Sequence, residues 1–95
     1  MPRMGKAKNE PLYYAIIRRF SDGRERTVSD VLEALEPAYR GYKLFTAKGV
    51  EEALATAKEN GLLDETSYSV DEAGRLMVGY SISEFGKETV EKYLS

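Results

Sequence analysis

Cysteine, histidine and tryptophan are all absent from this chain of 95 residues. Without cysteine there is neither a disulfide framework nor thiolate chemistry. Without histidine the chain lacks the usual general base of enzymes and the commonest ligand of transition metals. No phosphate-cradling glycine loop and no cluster of carboxylates compensates for these absences. We therefore expect that the protein is not an enzyme and binds neither a metal nor a cofactor.

Long apolar runs are absent as well. No segment approaches the roughly 18 consecutive apolar residues of a transmembrane helix, and the first residues lack the apolar stretch of a signal peptide. We therefore expect no membrane association and a cytoplasmic location. The length suits one domain with one modest hydrophobic core.

The overall net charge of −2 conceals an asymmetry between the two halves of the chain. Residues 1–48 carry ten Lys or Arg against six Asp or Glu, which gives +4. Residues 49–95 carry four against ten, which gives −6. An acidic chain can still bind nucleic acid if its basic residues share one face. The other interpretation is a mixed, solvated surface.

Residues 1–10 contain three basic residues, a proline and a glycine, without apolar periodicity. This pattern predicts a flexible, basic N-terminal tail ahead of a single domain over residues 11–95. The tail is either an arm that reaches DNA or a solvated terminus.

Apolar spacing predicts three helices in the first two thirds of the chain. The first covers residues 11–20. The second covers residues 27–36, begins with a capping pair of Thr27 and Asp30, and is expected to stop at Pro37. The third covers residues 46–60 and is predicted to bury one stripe that contains Val50, Ala53, Leu54 and Ala57. Its expected N-cap is Thr46, and Asn60 followed by Gly61 is its expected end.

The remaining residues predict a hairpin and a last helix. Two strand-like runs, 67–70 and 76–82, flank a polar loop at 71–75. Residues 24–27 are predicted to add a short third strand. In the second run we expect four alternate side chains to face the core, namely those of Leu76, Val78, Tyr80 and Ile82. The last helix, 83–94, begins at Ser83. The predicted fold class is therefore α+β and mostly helical.

The order of helix, helix, helix, hairpin and helix resembles a winged helix with a three-helix core, a wing of two or three strands and an additional C-terminal helix. Residues 27–35, TVSDVLEAL, resemble the first helix of a bacterial or archaeal helix-turn-helix. Residues 50–65, VEEALATAKENGLLDE, resemble the recognition helix and its exit in the MarR and PadR families of transcription regulators. Residues 74–94, GRLMVGYSISEFGKETVEKYL, are similar to the second wing strand and the final helix of those families.

This resemblance implies a regulator that binds double-stranded DNA, with the third helix in the major groove. The residues expected nearest the bases are Thr46, Lys48, Gly49 and Glu52. Those expected to contact phosphates are Arg24, Arg26, Arg40, Lys43 and Arg75. The acidic second half of the chain supports the alternative, a winged-helix module that binds protein and not DNA.

The same resemblance implies a two-fold homodimer formed by the terminal helices. The first and last helices carry more apolar residues than a three-helix core can cover, and soluble monomers rarely expose such patches. The predicted interface consists of Leu12, Tyr13, Ile17, Phe85, Val90, Tyr93 and Leu94. In the alternative, the last helix folds back on the first and buries both stripes within a monomer.

Overall fold

A computed structural model describes residues 11–94 of the chain. The predicted N-terminal tail therefore lies outside the described residues. The described part consists of four α-helices, a β-hairpin and a closing π-helical turn. In chain order these elements are α1 (Leu12–Arg19), α2 (Val28–Tyr39), α3 (Ala47–Glu59), β1 (Leu63–Val70), β2 (Leu76–Ile82), α4 (Glu84–Thr89) and the π-helical turn Val90–Leu94.

The predicted third helix, α3, forms with the expected ends and the expected buried stripe. The hydroxyl of Thr46 accepts a hydrogen bond from the backbone N–H of Gly49 at 3.0 Å, which satisfies one free donor of the first turn. At the other end Gly61 has a positive φ of 81°, a conformation that glycine adopts at little cost. Between these ends Val50, Leu54 and Ala57 are fully buried, and Ala53, the fourth member of the predicted stripe, is partly buried against the core.

The start of α2 is also as predicted, because Thr27 and Asp30 form the reciprocal capping box. Its end is not, since the helix continues through Pro37 to Tyr39. Proline removes one helical hydrogen bond, but the next turn is held by the N–H of Arg40, which donates to the carbonyl of Glu36 at 2.9 Å. Tyr39 is buried in the core, and this burial offsets the cost of the proline within the helix.

The hairpin is longer than the sequence indicated, because β1 begins at Leu63 and not at residue 67. It pairs antiparallel with β2 and contains an irregularity between Glu65 and Ser67. The predicted third strand is reduced to a single bridge in which Arg26 and Tyr80 exchange two backbone hydrogen bonds of 2.9 Å. Three helices followed by an antiparallel hairpin make the topology winged-helix-like.

One face of β2 turns toward the helices, as predicted, but only at the base of the hairpin. Tyr80 and Ile82 are buried, and Val78 is half-buried against the core. The prediction was wrong for Leu76, which is 65% exposed. The strands extend beyond the helices that cover them, so the side chain of Leu76, at the start of β2, remains in solvent.

The C-terminal segment begins at Ser83, whose hydroxyl accepts from the N–H of Gly86 at 2.9 Å. Gly86 is buried against Leu62, the residue before β1, and a Cβ there would overlap the carbonyl oxygen of Leu62. The glycine therefore permits a close backbone approach. The π-helical turn Val90–Leu94 then packs on α1, and Val90 joins the core.

Candidate nucleic-acid interface

The N-termini of α2 and α3 and the turn of the hairpin meet around one groove of about 300 Å³. Thr27 and Ser29 line it from α2, Ala47 and Glu51 from α3, and Arg75 from the hairpin. The first N–H groups of a helix lack helical partners, and the helix dipole places partial positive charge there. Two such helix ends at one groove favour an anionic partner such as a phosphate chain.

Thr46 and Gly49, both predicted to lie near DNA bases, have structural roles at the start of α3. Thr46 is engaged in the N-cap described above. Gly49 faces the preceding loop so closely that a Cβ would overlap the carbonyl oxygen of Leu44. These two residues fix where α3 begins and how the loop approaches it, and they do so without any ligand.

Arg26 is half-buried at the surface of the domain, and only 11% of its side chain is exposed. Its guanidinium donates to both carboxylate oxygens of Asp22, at 2.8 and 2.9 Å, and to the carbonyl oxygen of Arg19 at 2.7 Å. These bonds hold the pKa of Asp22 far below its usual range, and the N–H of Arg24 contributes to the same effect. Asp22 in turn raises the pKa of Arg26. The sequence could not distinguish this half-buried arginine from its exposed neighbours.

Arg40 and Arg75 are exposed, and each pairs loosely with a carboxylate of its own element. Arg40 lies 3.3 Å from Glu36, and Arg75 lies 3.4 Å from Asp71. Exposed pairs of this kind contribute less than about 1 kcal/mol, so a phosphate can replace the carboxylate. The pKa of Asp71 is lowered, chiefly because the backbone N–H of Arg75 donates to it.

Lys43 and Lys48 are exposed on either side of the N-cap of α3 and form no ion pair with any residue in 11–94. Arg24 is exposed beside Asp22 in the loop before α2. Arg24, Arg40, Lys43 and Arg75 are thus the exposed part of the predicted phosphate-binding set, and Lys48, predicted to lie near the bases, is a further exposed cation beside them. Only Arg26 is withdrawn from solvent.

The two glutamates of α3 are directed to different sides of the helix. Glu51 lines the groove beside the hairpin. Glu52 lines a second, mostly apolar groove of about 240 Å³ together with Leu12, Tyr13 and Leu44. The negative charge on α3 is therefore divided between two surfaces, and Lys48 lies one turn before both.

The residues of the predicted dimer interface divide into buried and exposed groups. Ile17 and Val90 belong to the chain's own core, and the π-helical turn packs on α1, as in the monomeric alternative. Partly buried members pack against this core, namely Leu12, Tyr13 and Leu94. The exposed members are Phe85 and Tyr93, at 57% and 74%.

Sequence reasoning missed an apolar surface on the outer half of the hairpin. Tyr68 and Val70 of β1 are exposed together with Leu76 of β2. The sequence places Val70 and Leu76 directly beside the polar loop 71–75. This position was the available indication that their side chains are exposed. Residues next to a hairpin loop lie at its far end, where the helices no longer cover the sheet.

Glu25, which the sequence did not single out, fastens the loop before α2 to the base of the hairpin. The hydroxyl of Thr66 donates to the Glu25 carboxylate at 2.7 Å. Hydroxyl donation from Ser67, and then from Thr66, lowers the pKa of Glu25. This contact lies beside the bridge between Arg26 and Tyr80 and secures the hairpin against the helices.

Within residues 11–94 no group of three or more metal-ligating side chains comes together, and no helix has the length and apolar character needed to cross a membrane. Neither a protein-family model nor a curated protein sequence matches this chain.

Proposed function

We propose that this protein binds double-stranded DNA, with α3 in the major groove and the hairpin as a flanking wing. The observation that carries the proposal is the groove at which the N-termini of α2 and α3 meet the hairpin turn. In a winged helix these are the elements apposed to the duplex, and here both helix dipoles are directed to it. No catalytic role forms part of the proposal.

Affinity would come from five exposed cations that contact phosphates, and these are Arg24, Arg40, Lys43, Lys48 and Arg75. Of the two glutamates on the first turns of α3, Glu51 lines the groove beside the hairpin and Glu52 is directed to the groove on the other side, so Glu51 is the one that would reach base edges. A glutamate accepts a hydrogen bond from the amino group of cytosine but is repelled by phosphates. Binding would therefore be weak on most sequences and stronger where cytosine faces Glu51.

We also propose that the protein forms a homodimer through its C-terminal segment. The exposed rings of Phe85 and Tyr93 are its apolar anchors, since they remain uncovered after the segment has packed on α1. Sedimentation equilibrium tests this, and a mass near 10.7 kDa at tens of micromolar protein would reject the dimer. Tyr93→Asp is expected to give that single-chain mass and to weaken DNA binding while leaving the fold intact.

DNA binding itself is tested by fluorescence anisotropy with promoter-derived and random duplexes over a range of salt concentrations. If all five cations meet phosphates, log affinity should fall against log salt with a slope of about −4 to −5 per protomer. Lys48→Gln should reduce the steepness by about 0.9. Lys92→Gln, which removes an exposed lysine from the C-terminal turn, is the matched control and should leave the slope unchanged.

Absence of binding at low salt and tens of micromolar protein would reject the proposal. It would favour the second candidate, a winged-helix module that binds protein and not DNA. The observation on the side of that candidate is the apolar outer half of the hairpin, where three large apolar side chains are exposed.

A further inference from the structure

We infer that Glu65 is a positioning residue for DNA binding, because it fixes the angle of the hairpin relative to α3. Its carboxylate joins Lys58 of α3 to Tyr68 of β1, and these three side chains are here called the hairpin clamp. The inference rests on the DNA-binding function proposed above. It assigns a role to three residues that do not line the groove at the helix N-termini.

The two oxygens of the Glu65 carboxylate have different partners. The phenol hydroxyl of Tyr68 donates a hydrogen bond to Oε1, and the ammonium group of Lys58 lies 3.6 Å from Oε2. Donation to Glu65 is the main cause that raises the pKa of Tyr68. Lys58 belongs to the last turn of α3. One carboxylate therefore connects the helix proposed to read DNA with a strand of the hairpin.

The pairing of the strands places the hairpin clamp on the face directed toward the helices. Glu65 is opposite Tyr80, and Tyr68 is opposite Val78. Directly paired residues of antiparallel strands project to the same side of a sheet. Tyr80 is buried and Val78 packs against the core, so all four side chains are directed toward the helices. The clamp thus spans the space between β1 and α3.

The hairpin clamp encloses the point at which β1 is irregular. The register shifts between Glu65 and Ser67, so Thr66 has no Cα partner in β2. An extra residue of this kind bends a strand and interrupts its ladder of hydrogen bonds. Glu65 precedes this point and Tyr68 follows it, so the bond between their side chains restrains the bend.

Glu25 holds the same point from the opposite face. Gly79 alternates with Val78 and Tyr80 along β2, and a Cβ on it would overlap the carboxylate of Glu25. Alternate residues of a strand project to opposite faces, so Glu25 lies on the side away from the helices. There it accepts a hydrogen bond from Thr66 at 2.7 Å. The irregular point is therefore restrained from both faces.

The direction of the outer half of the hairpin depends on this point. Val70 and Leu76 are each 65% exposed, so the helices do not support the strands beyond it. The turn begins six residues after Glu65, which is about 20 Å at the rise of a strand. A rotation of about 10° at the irregular point would move the turn by about 3–4 Å, which exceeds the length of a hydrogen bond. Arg75 can therefore reach a phosphate only if the angle is kept.

The first test measures the angle of the hairpin without DNA. Residual dipolar couplings of backbone amides in the full chain give the orientation of the hairpin relative to α3. Glu65→Thr removes the clamp and keeps a residue suited to strands. It should rotate the hairpin by about 10° or more while the angles among the three helices stay unchanged. Glu59→Gln removes an exposed glutamate from the same turn of α3 as Lys58, and this matched control should leave the angle unchanged.

The second test measures DNA binding by the same variants over a range of salt concentrations. Loss of a negative charge strengthens attraction to a polyanion, so Glu59→Gln should bind at least as tightly as the unmodified chain. Glu65→Thr loses the same charge but should bind severalfold more weakly, with a salt slope lower by about 0.9, because the turn no longer meets its phosphate. In the Glu65→Thr background, Arg75→Gln should then change the slope by less than about 0.2.

A variant without any change of charge tests the phenol hydroxyl. Tyr68→Phe removes only the group that donates to Glu65. It should change the angle and the salt slope in the same direction as Glu65→Thr, by a smaller amount, because Lys58 still pairs with Glu65. Tyr14→Phe alters an exposed tyrosine of α1 and should leave both unchanged. Tyr68→Phe also decides the question if Glu65→Thr does not fold.

An unchanged hairpin angle in both Glu65→Thr and Tyr68→Phe would overturn the inference. So would a Glu65→Thr chain that binds DNA as tightly as Glu59→Gln, or one in which Arg75→Gln keeps its full effect on the slope. Failure of the unmodified chain to bind any duplex rejects the proposed function instead, and the angle measurement then still decides whether Glu65 holds the hairpin.

Discussion

The base and the outer half of the hairpin have similar sequences and opposite environments. At the base Leu63, Tyr80 and Ile82 are at most 8% exposed. Farther along the same two strands Tyr68, Val70 and Leu76 are at least 62% exposed. Both halves have large apolar side chains at alternate positions, and both present this set on the face directed toward the helices.

The difference comes from what lies beneath each half. The base is covered by the helices, and it is fastened by the bridge between Arg26 and Tyr80 and by the contact of Glu25 with Thr66. The outer half extends past these supports. Apolar residues at alternate positions thus indicate that one face of a strand is apolar. They do not indicate whether other residues of the same chain bury that face.

The largest expected difference in the free energy of unfolding is between two variants that each truncate one leucine, one at the base of the hairpin and one in its outer half. Leu63→Ala should lower the free energy of unfolding by about 2–5 kcal/mol, because it leaves a cavity in a packed core. Leu76→Ala should change it by less than about 0.5 kcal/mol, since the side chain is already in solvent. Urea denaturation of both variants measures the contrast. Equal losses would show that the outer half is covered in solution.

A smaller effect is expected from adding a methyl group at the base. The Cβ of Gly79→Ala would overlap the side chains of Glu25 and Ser67, both of which can move. The displacement would break the Glu25 contacts and should cost about 1 kcal/mol. Ser69→Ala, on the exposed part of the same strand pair, is the control and should be close to neutral. A neutral Gly79→Ala would mean that Glu25 does not secure the hairpin.

The dependence of unfolding free energy on acid pH should distinguish Asp22, which pairs with Arg26 near the base of the hairpin, from Asp71 in the turn at its tip. The pKa of Asp22 is lower in the folded chain than in the unfolded chain, so its stabilisation is fully present above the unfolded pKa of about 3.9 and is lost as the pH falls below it. Asp22→Asn should therefore flatten the fall of unfolding free energy between about pH 4 and pH 2. Asp71→Asn is the comparison at the tip, where the carboxylate accepts only from the turn. An Asp22→Asn profile as steep as that of the unmodified chain would contradict the role of the Arg26 pair.

The smallest expected effect on stability is at Arg75. Its pair with Asp71 is exposed, so Arg75→Gln should change the free energy of unfolding by less than about 0.5 kcal/mol. The same variant should reduce the salt slope of DNA binding by about 0.9 if the turn contacts a phosphate. An unchanged salt slope would show that Arg75 in the hairpin turn does not contact a DNA phosphate.

The sequence by itself determined the features that depend on neighbouring residues. Thr27 with Asp30, and Thr46 at the start of α3, are short-range caps whose chemistry is complete within one turn. The buried stripe of α3 followed from helical spacing, because residues on one face of a helix are buried together wherever the helix packs. The loop 71–75 was equally local, since its hydrogen bonds close within five residues.

Tertiary structure alone decided the features that depend on distant partners. The side chain of Arg26 is half-buried because it pairs with Asp22 and its backbone forms the bridge to Tyr80, and nothing in its own neighbourhood distinguished it from Arg24. The helix α2 passes Pro37 because Tyr39 reaches the core beyond it. Leu76 is exposed because the strands extend beyond the helices that cover the base of the hairpin. In each case the neighbouring residues were compatible with either outcome. Contacts with residues distant in the sequence, or their absence, decided which outcome occurred.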